Sequence, residues 1–130
     1  MLKFINPPTL APSFSNYSQA VLIPKNAETL FVSGQLGIDK EGVIAVGFEA
    51  QLIQAMANLQ LVLADVGMSL NDIVKLTVYS AVDTNEAIES YRKVRDETLV
   101  DHKPAALYAT VTGFTHPEFL VEIEAVAAKA

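Results

Sequence analysis

The sequence predicts one α+β domain over residues 1–130, in which two helices cover one face of a mixed β-sheet. The chain has 130 residues, of which 51% are hydrophobic and 18% are charged. This size suits a single domain, and the composition excludes a disordered chain. Two segments carry apolar residues at helical spacing and others alternate as strands do. Strands before, between and after the two helices predict a sandwich.

The region before the first helix is predicted to be an arm followed by short strands. The first eighteen residues hold three of the six prolines and are expected to form an extended, irregular arm. Residues 20–23 and 29–33 are apolar runs separated by Pro24, and we expect them to pair as a hairpin. Residues 43–45 are a candidate for a short third strand.

A helix is predicted over residues 48–66, because its apolar side chains recur every three or four positions. Gly67 follows as a left-handed C-cap, a conformation that glycine adopts without steric cost. The predicted buried face consists of Leu52, Met56, Leu59, Leu63 and Val66.

The second half of the chain predicts a strand, a helix and two further strands. Residues 72–80 alternate and are rich in β-branched side chains, which is typical of a strand. A capping box at Asp83 should open a helix that runs to about Leu99. The inner face of that helix is predicted to carry Ala87, Tyr91 and Val94. Residues 105–112 and 119–128 are expected to be the closing strands.

Charge and cysteine content exclude several functions. Nine basic against fifteen acidic residues give a net charge of −6, and the cations are scattered. This argues against nucleic acid and anionic membranes as partners. No 18-residue apolar run or signal peptide is present, and without cysteine a cytoplasmic protein is the simplest expectation. The apolar surplus favours a homo-oligomer.

Two acidic residues in the last strand are the most informative candidates for chemistry. Glu122 and Glu124 share one face of a strand that is otherwise apolar, and buried carboxylates are costly unless they are paired, hydrated or used. Lys75 is expected to neutralise one of them, more readily Glu124. Glu122 is the candidate for proton transfer through water.

Other polar residues carry weaker signals. His102 and His116 are expected to be solvated loop residues, since a metal site needs at least three converging ligands. Arg92 and Arg95 are expected on a solvated helix face. Tyr17 either pins the arm by packing or closes over a ligand.

Several segments together resemble the RidA/YjgF family, also described as endoribonuclease L-PSP or reactive-intermediate deaminases. No single segment is decisive, but their joint order covers nearly the whole chain. The segments are Ser15-Asn-Tyr17-Ser-Gln-Ala20, Phe31-Val-Ser-Gly-Gln35, Ala50-Gln-x₆-Asn58-Leu with Gly67, Asp72-Ile-Val-Lys75-x-Thr-Val78, Lys103-Pro104-Ala105 and Pro117-Glu-x-Leu-Val-Glu-Ile-Glu-Ala125.

The resemblance implies a chorismate-mutase-like subunit that forms a homotrimer with ligand clefts between neighbouring subunits. It implies hydrolysis of reactive imines and enamines, such as 2-aminoacrylate, without a metal or an organic cofactor. By position, Glu122 would hold the attacking water and carry its proton. Tyr17 would flank the cleft, and Ser33 and Gly34 would line its floor.

The sequence departs from the family pattern at the substrate pocket. Ala106 stands where deaminating members carry an arginine that grips the substrate carboxylate. Losing such a contact costs about 2–5 kcal/mol in recognition. Tyr108 replaces a common cysteine, and Ile88 replaces an asparagine. These changes indicate a neutral or aromatic ligand.

Family members are also credited with ribonuclease, translation-inhibiting and chaperone-like behaviour, but the acidic balance weighs against direct RNA binding. Two other functions stay open at this point. One is a metal-independent hydrolase that acts on a C=N substrate other than 2-aminoacrylate. The other is a non-catalytic ligand-binding or regulatory trimer on the same scaffold.

Overall fold

The computed structural model describes residues 1–130, which form six strands, two α-helices and a 3-10 turn. The β-sheet residues lie in β1 (Lys3–Ile5), β2 (Ala20–Leu22), β3 (Glu28–Leu36), β4 (Ile73–Ser80), β5 (Ala105–Thr110) and β6 (Val121–Lys129). The helices are α1 (Phe48–Asp65) and α2 (Asn85–Leu99), and the 3-10 turn at Leu70–Asp72 leads into β4. Neither helix is long and apolar enough to cross a membrane.

The main sheet has four strands in the order β3-β6-β4-β5. Strand β6 is antiparallel to both of its neighbours, β3 and β4, whereas β4 and β5 run parallel. Alternate residues of β4 and β6 enter a core of 17 residues shared with both helices. Both helices lie on this face of the sheet, and no helix covers the opposite face. The predicted α+β sandwich is therefore confirmed.

Helix α1 follows its prediction closely. Leu52, Leu59 and Leu63 are fully buried, whereas Val66 lies beyond the helix and is 53% exposed. Gly67 has a φ of +74°, and its amide donates to the carbonyl of Ala64. The left-handed C-cap is therefore confirmed, and the buried face ends at Leu63.

Helix α2 begins one residue later than the capping box predicts. Thr84 rather than Asp83 is the N-cap, since its hydroxyl accepts from the amide of Ala87. The predicted inner face is buried. Glu49 on α1 accepts hydrogen bonds from Ser90 and Lys93, which together hold its pKa below the ordinary value and join the two helices.

The predicted hairpin is wrong. Residues 20–22 form β2, which pairs with β1 inside the arm, whereas β3 pairs with β6. Two apolar runs in sequence do not identify their partners, because pairing depends on which faces the fold buries. The arm therefore contains a short two-stranded sheet and is not irregular throughout. The third strand expected at residues 43–45 is reduced to a single β-bridge between Ile38 and Ile44.

Two amide side chains on α1 hold loops near the ends of the strands. Gln51 is 2% exposed and bonds the carbonyls of Ala45 and Glu118. Asn58 donates to the carbonyls of Leu36 and Ile38, at the end of β3 and just after it. Satisfying buried backbone carbonyls in this way fixes the ends of the strands that carry the site.

Candidate functional site

The first group of candidate residues lies at an irregularity in β3. The β3–β6 register shifts between Val32 and Gln35, so Ser33 and Gly34 form a bulge. A Cβ added at Gly34 would lie 2.7 Å from the carboxyl carbon of Glu122 and closer still to one carboxyl oxygen. The Glu122 carboxyl group therefore rests against the Gly34 backbone, in space that only glycine leaves free. The structure thus brings Gly34 and Glu122 together, whereas Ser33, the other residue of the bulge, lines a depression with Lys75 and Glu124.

Glu122 has no charged partner. It is half-buried, and none of the three ion pairs in the structure includes it. The expected pairing of Lys75 with Glu124 is also wrong. Glu124 instead lies 3.4 Å from the hydroxyl of Tyr79, and both Lys75 and Glu124 are exposed to water, which hydrates their charges without an ion pair.

The second group lies around a cavity of about 360 Å³ between the arm, α2 and β5. Tyr17, Ala106 and Tyr108 line it, and Ile88 lines it from α2. Its remaining lining residues are Phe14, Ser15, Tyr91, Arg92, Arg95 and Leu107.

Arg95 is a functional candidate that the sequence pattern did not identify. It is 3% exposed, so placing it on a solvated helix face is wrong. Its Nε donates to Asp96 at 3.0 Å and its Nη2 to Ser15 at 2.8 Å. The signal was present in the spacing, because Arg95 follows Tyr91 by four positions on the buried face of α2.

The surroundings of Arg95 shift two pKa values. Burial raises the pKa of Tyr91, whose ring centroid lies 5.2 Å from the guanidinium carbon of Arg95. Burial acts to raise the pKa of Asp96 as well, but hydrogen bonds from Asn16 and Arg95 outweigh it and lower that pKa overall. Asp96 therefore stays ionised and ties the arm to α2.

Tyr108 contributes an unsatisfied group to the same cavity. Its hydroxyl is buried without a hydrogen-bond partner. Its ring centroid lies 4.9 Å from that of Tyr91, so the two rings pack against each other. A buried hydroxyl without a partner is uncommon in folded proteins and needs an explanation.

Within one chain, the sheet separates the residues around Glu122 from the residues around Tyr108. Tyr108 pairs with Val78, which pairs with Ile123, and both partners point into the core. Glu122 is adjacent to Ile123 on β6 and therefore lies on the opposite face. One chain carries both halves of the predicted cleft, but they do not face each other.

The two histidines differ in their exposure to solvent. His102 is half-buried, its Nε2 lies 2.7 Å from the carbonyl oxygen of Ile73, and its ring packs edge-on against Phe4. The expectation of a solvated residue is wrong for His102, because the arm covers it. His116 is exposed, as predicted.

Known proteins resemble this chain over most of its length. Residues 9–129 match the family model described as endoribonuclease L-PSP. A RutC family protein of Pyrococcus horikoshii is 37% identical over 115 residues, which cover 87% of this chain and 86% of that protein. The human 2-iminobutanoate/2-iminopropanoate deaminase is 33% identical over 81 residues, which cover 59% of this chain and 57% of that protein.

A solved structure of the conserved Rid protein family, from Yersinia pestis and of unknown function, has a TM-score of 0.86 at 28% identity. The match covers 98% of each chain. The family model, the related sequences and the shared fold agree with one another, and the chain therefore belongs to the RidA/YjgF family.

Proposed function

We propose that the protein hydrolyses the C=N bond of a small reactive imine or enamine, in clefts between the subunits of a homotrimer. The observation that carries the proposal is the Glu122 carboxylate, which lies against the Gly34 backbone without a charged partner. A carboxylate in this position is suited to hold a water molecule and take its proton. The name of the human relative, an imine deaminase, is consistent with this chemistry.

The reaction balances with water as the only co-substrate. The water oxygen attacks the imine carbon while Glu122 takes a proton and returns it to nitrogen. Glu122 then takes the proton of the new hydroxyl group and passes it to the amino nitrogen as the C–N bond breaks, so that ammonia leaves and a carbonyl compound remains. Neither a metal nor an organic cofactor enters this scheme. The proposal also includes a cytoplasmic location.

The positions of the two groups support the proposed assembly. Because Glu122 and Tyr108 lie on opposite faces of the sheet, the proposal has a neighbouring copy bring its own Tyr17, Ala106 and Tyr108 to the Glu122 side. The helix-free face offers an apolar surface for this contact, since Phe31 is 78% exposed and Leu107 is 49% exposed. Burying such side chains stabilises an interface by about 25 cal/mol per Å².

The assembly can be measured separately from the activity. Three chains of 14.0 kDa give a particle of about 42 kDa in sedimentation or light scattering. Phe31→Asp would place a charge on the contact face, away from the cavity, and is expected to shift the particle toward the monomer. A monomeric wild-type protein would contradict the proposed shared cleft.

The activity test is ammonia release from a panel of freshly generated imines. Glu122→Gln keeps the shape of the side chain but removes the base, and we expect kcat to fall about 10²–10⁴-fold. Glu124→Gln is the matched control, because it removes a carboxylate from the same face of the same strand, two residues away. Equal activity in the wild type and Glu122→Gln would refute the role of Glu122.

A non-catalytic ligand-binding trimer is the alternative, and Ala106 favours it. A methyl group at this position offers no charge to a substrate carboxylate, so 2-aminoacrylate bound in the family manner would lack its partner. If no imine in the panel is turned over, and Glu122→Gln changes only the affinity for ligands, the binding function replaces the hydrolase.

A further inference from the structure

We propose that the cavity between the arm, α2 and β5 binds the anionic group of an apolar acid through Arg95 and Tyr108. The identity of this acid as the substrate rests on the proposed function. The anion site itself stands on the geometry of the cavity. Arg95 on α2 would thereby supply the positive charge that deaminating members of the family carry on β5, at the position of Ala106.

Arg95 has a donor group to spare. Its Nε and Nη2 lie 3.0 Å and 2.9 Å from one oxygen of Asp96, and Nη2 also donates to Ser15. Its Nη1, which carries two N–H groups, donates to neither Asp96 nor Ser15. A guanidinium keeps its charge under all ordinary conditions, and its planar fork suits carboxylates. The contacts with the arm therefore leave one end of the group available to a ligand.

Tyr108 supplies a second donor independently of Arg95. Its buried hydroxyl has no partner in the chain, and leaving such a group unsatisfied is unfavourable. The ring of Tyr91 adjoins both groups, at 4.9 Å from the Tyr108 ring centroid and 5.2 Å from the guanidinium carbon of Arg95. The ring of Tyr91 thus adjoins both donor residues, and the proposed acceptor lies beside it.

The charges around the cavity are otherwise balanced. Arg92 is paired with Glu89 at 3.0 Å, and Asp96 is held by Arg95 and Asn16. No carboxylate other than Asp96 contacts Arg95. An anionic ligand would therefore meet free donors without facing an unpaired negative side chain.

The lining of the cavity indicates the rest of the ligand. Phe14, Ile88, Ala106 and Leu107 offer apolar or aromatic surface, and the volume of about 360 Å³ is within the usual range for small-molecule sites. Ala106 leaves room that a longer side chain would fill. The ligand class is a carboxylic acid with an aromatic or branched apolar body. Of the neutral or aromatic ligand that the sequence indicates, it keeps the aromatic character and replaces the neutral one.

The test uses phenylacetate as the probe, with phenylacetamide as its uncharged counterpart of the same shape. Binding to the full-length protein is measured by titration calorimetry or by NMR at low ionic strength. We expect phenylacetate to bind about tenfold or more tightly than phenylacetamide, since a charge-assisted contact is worth at least one decade of affinity. Neither compound contains a C=N bond, so the measurement does not depend on catalysis.

Three variants identify the groups responsible. Arg95→Gln should remove the preference for the acid, and Tyr108→Phe, which keeps the ring, should reduce it about threefold or more. Lys93→Gln is the matched control, because it removes a cation from the same helix outside the cavity, and its preference should match that of the wild type. Thermal unfolding shows whether Arg95→Gln is folded, and Arg95→Met, which fills similar space without a charge, replaces it in the assay if it is not.

Equal affinities of the wild type for the acid and the amide would overturn the proposal. So would an undiminished preference in both the Arg95 variant and Tyr108→Phe. An acid preference in a wild-type protein that releases no ammonia from any imine of the panel would instead refute the hydrolase and leave the anion site standing.

Discussion

Gly34→Ala is expected to damage catalysis while leaving the fold intact. The added Cβ would lie 2.7 Å from the carboxyl carbon of Glu122, whereas ordinary contact begins near 3.4 Å. The carboxyl group must therefore retreat by at least about 0.7 Å. Because a misplacement of about 1 Å at a reacting group costs about 10²-fold, kcat for imine hydrolysis should fall about 30- to 100-fold.

The stability of this variant should change little. The atoms that clash with the new methyl group belong to the end of a flexible side chain rather than to backbone. Replacing glycine also reduces the conformational entropy of the unfolded chain. We expect the free energy of unfolding, measured by denaturant titration, to change by no more than about 1 kcal/mol.

Gly113→Ala is the matched control. It makes the same chemical change where nothing lies within 4 Å of the added Cβ, so activity and stability should both stay near the wild type. Unchanged ammonia release in Gly34→Ala would refute the reasoning, because it would mean that the position of the Glu122 carboxylate does not limit the reaction.

Three further predictions concern the second half of the cleft. Ala106→Arg should increase ammonia release from 2-iminoacids, because it restores a cation beside the cavity; a folded variant without this gain would show that Tyr108 or Ile88 also blocks the site. Tyr17→Phe should weaken ligand binding in calorimetry more than it lowers the melting temperature, because its hydroxyl makes no hydrogen bond within the chain; the reverse result would assign it to packing. Because the fold lowers the pKa of Asp96, the stability it contributes is present above the ordinary aspartate pKa and declines as pH falls through the lowered value. Unfolding midpoints should therefore decrease in acid less steeply in Asp96→Asn than in the wild type, and parallel profiles would contradict this.

Local patterns in the sequence were sufficient for the helices and for the last strand. The spacing of Leu52, Leu59 and Leu63 identifies a helix face whatever the helix packs against. The alternation of Val121, Glu122 and Ile123 likewise assigns each side chain to a face of the sheet. The separation of Glu122 from the core therefore follows from the amino-acid order alone.

Pairing and burial across the chain do not follow from local patterns. The hairpin prediction failed because β2 and β3 belong to different sheets, in which their partners are β1 and β6. Arg95 was assigned to solvent because a charged residue is seldom buried. Only the packing of the arm, through Ser15 and Asn16, encloses it.

The amino-acid order by itself determined the family, the α+β class and the candidate carboxylate, because these depend on spacing and residue type along short segments. The tertiary structure decided that Gly34 leaves room for Glu122, that the sheet divides the cleft residues between its two faces, and that a buried guanidinium lies beside Tyr108. These are contacts between residues distant in sequence, and they exist only once the strands and the arm have packed.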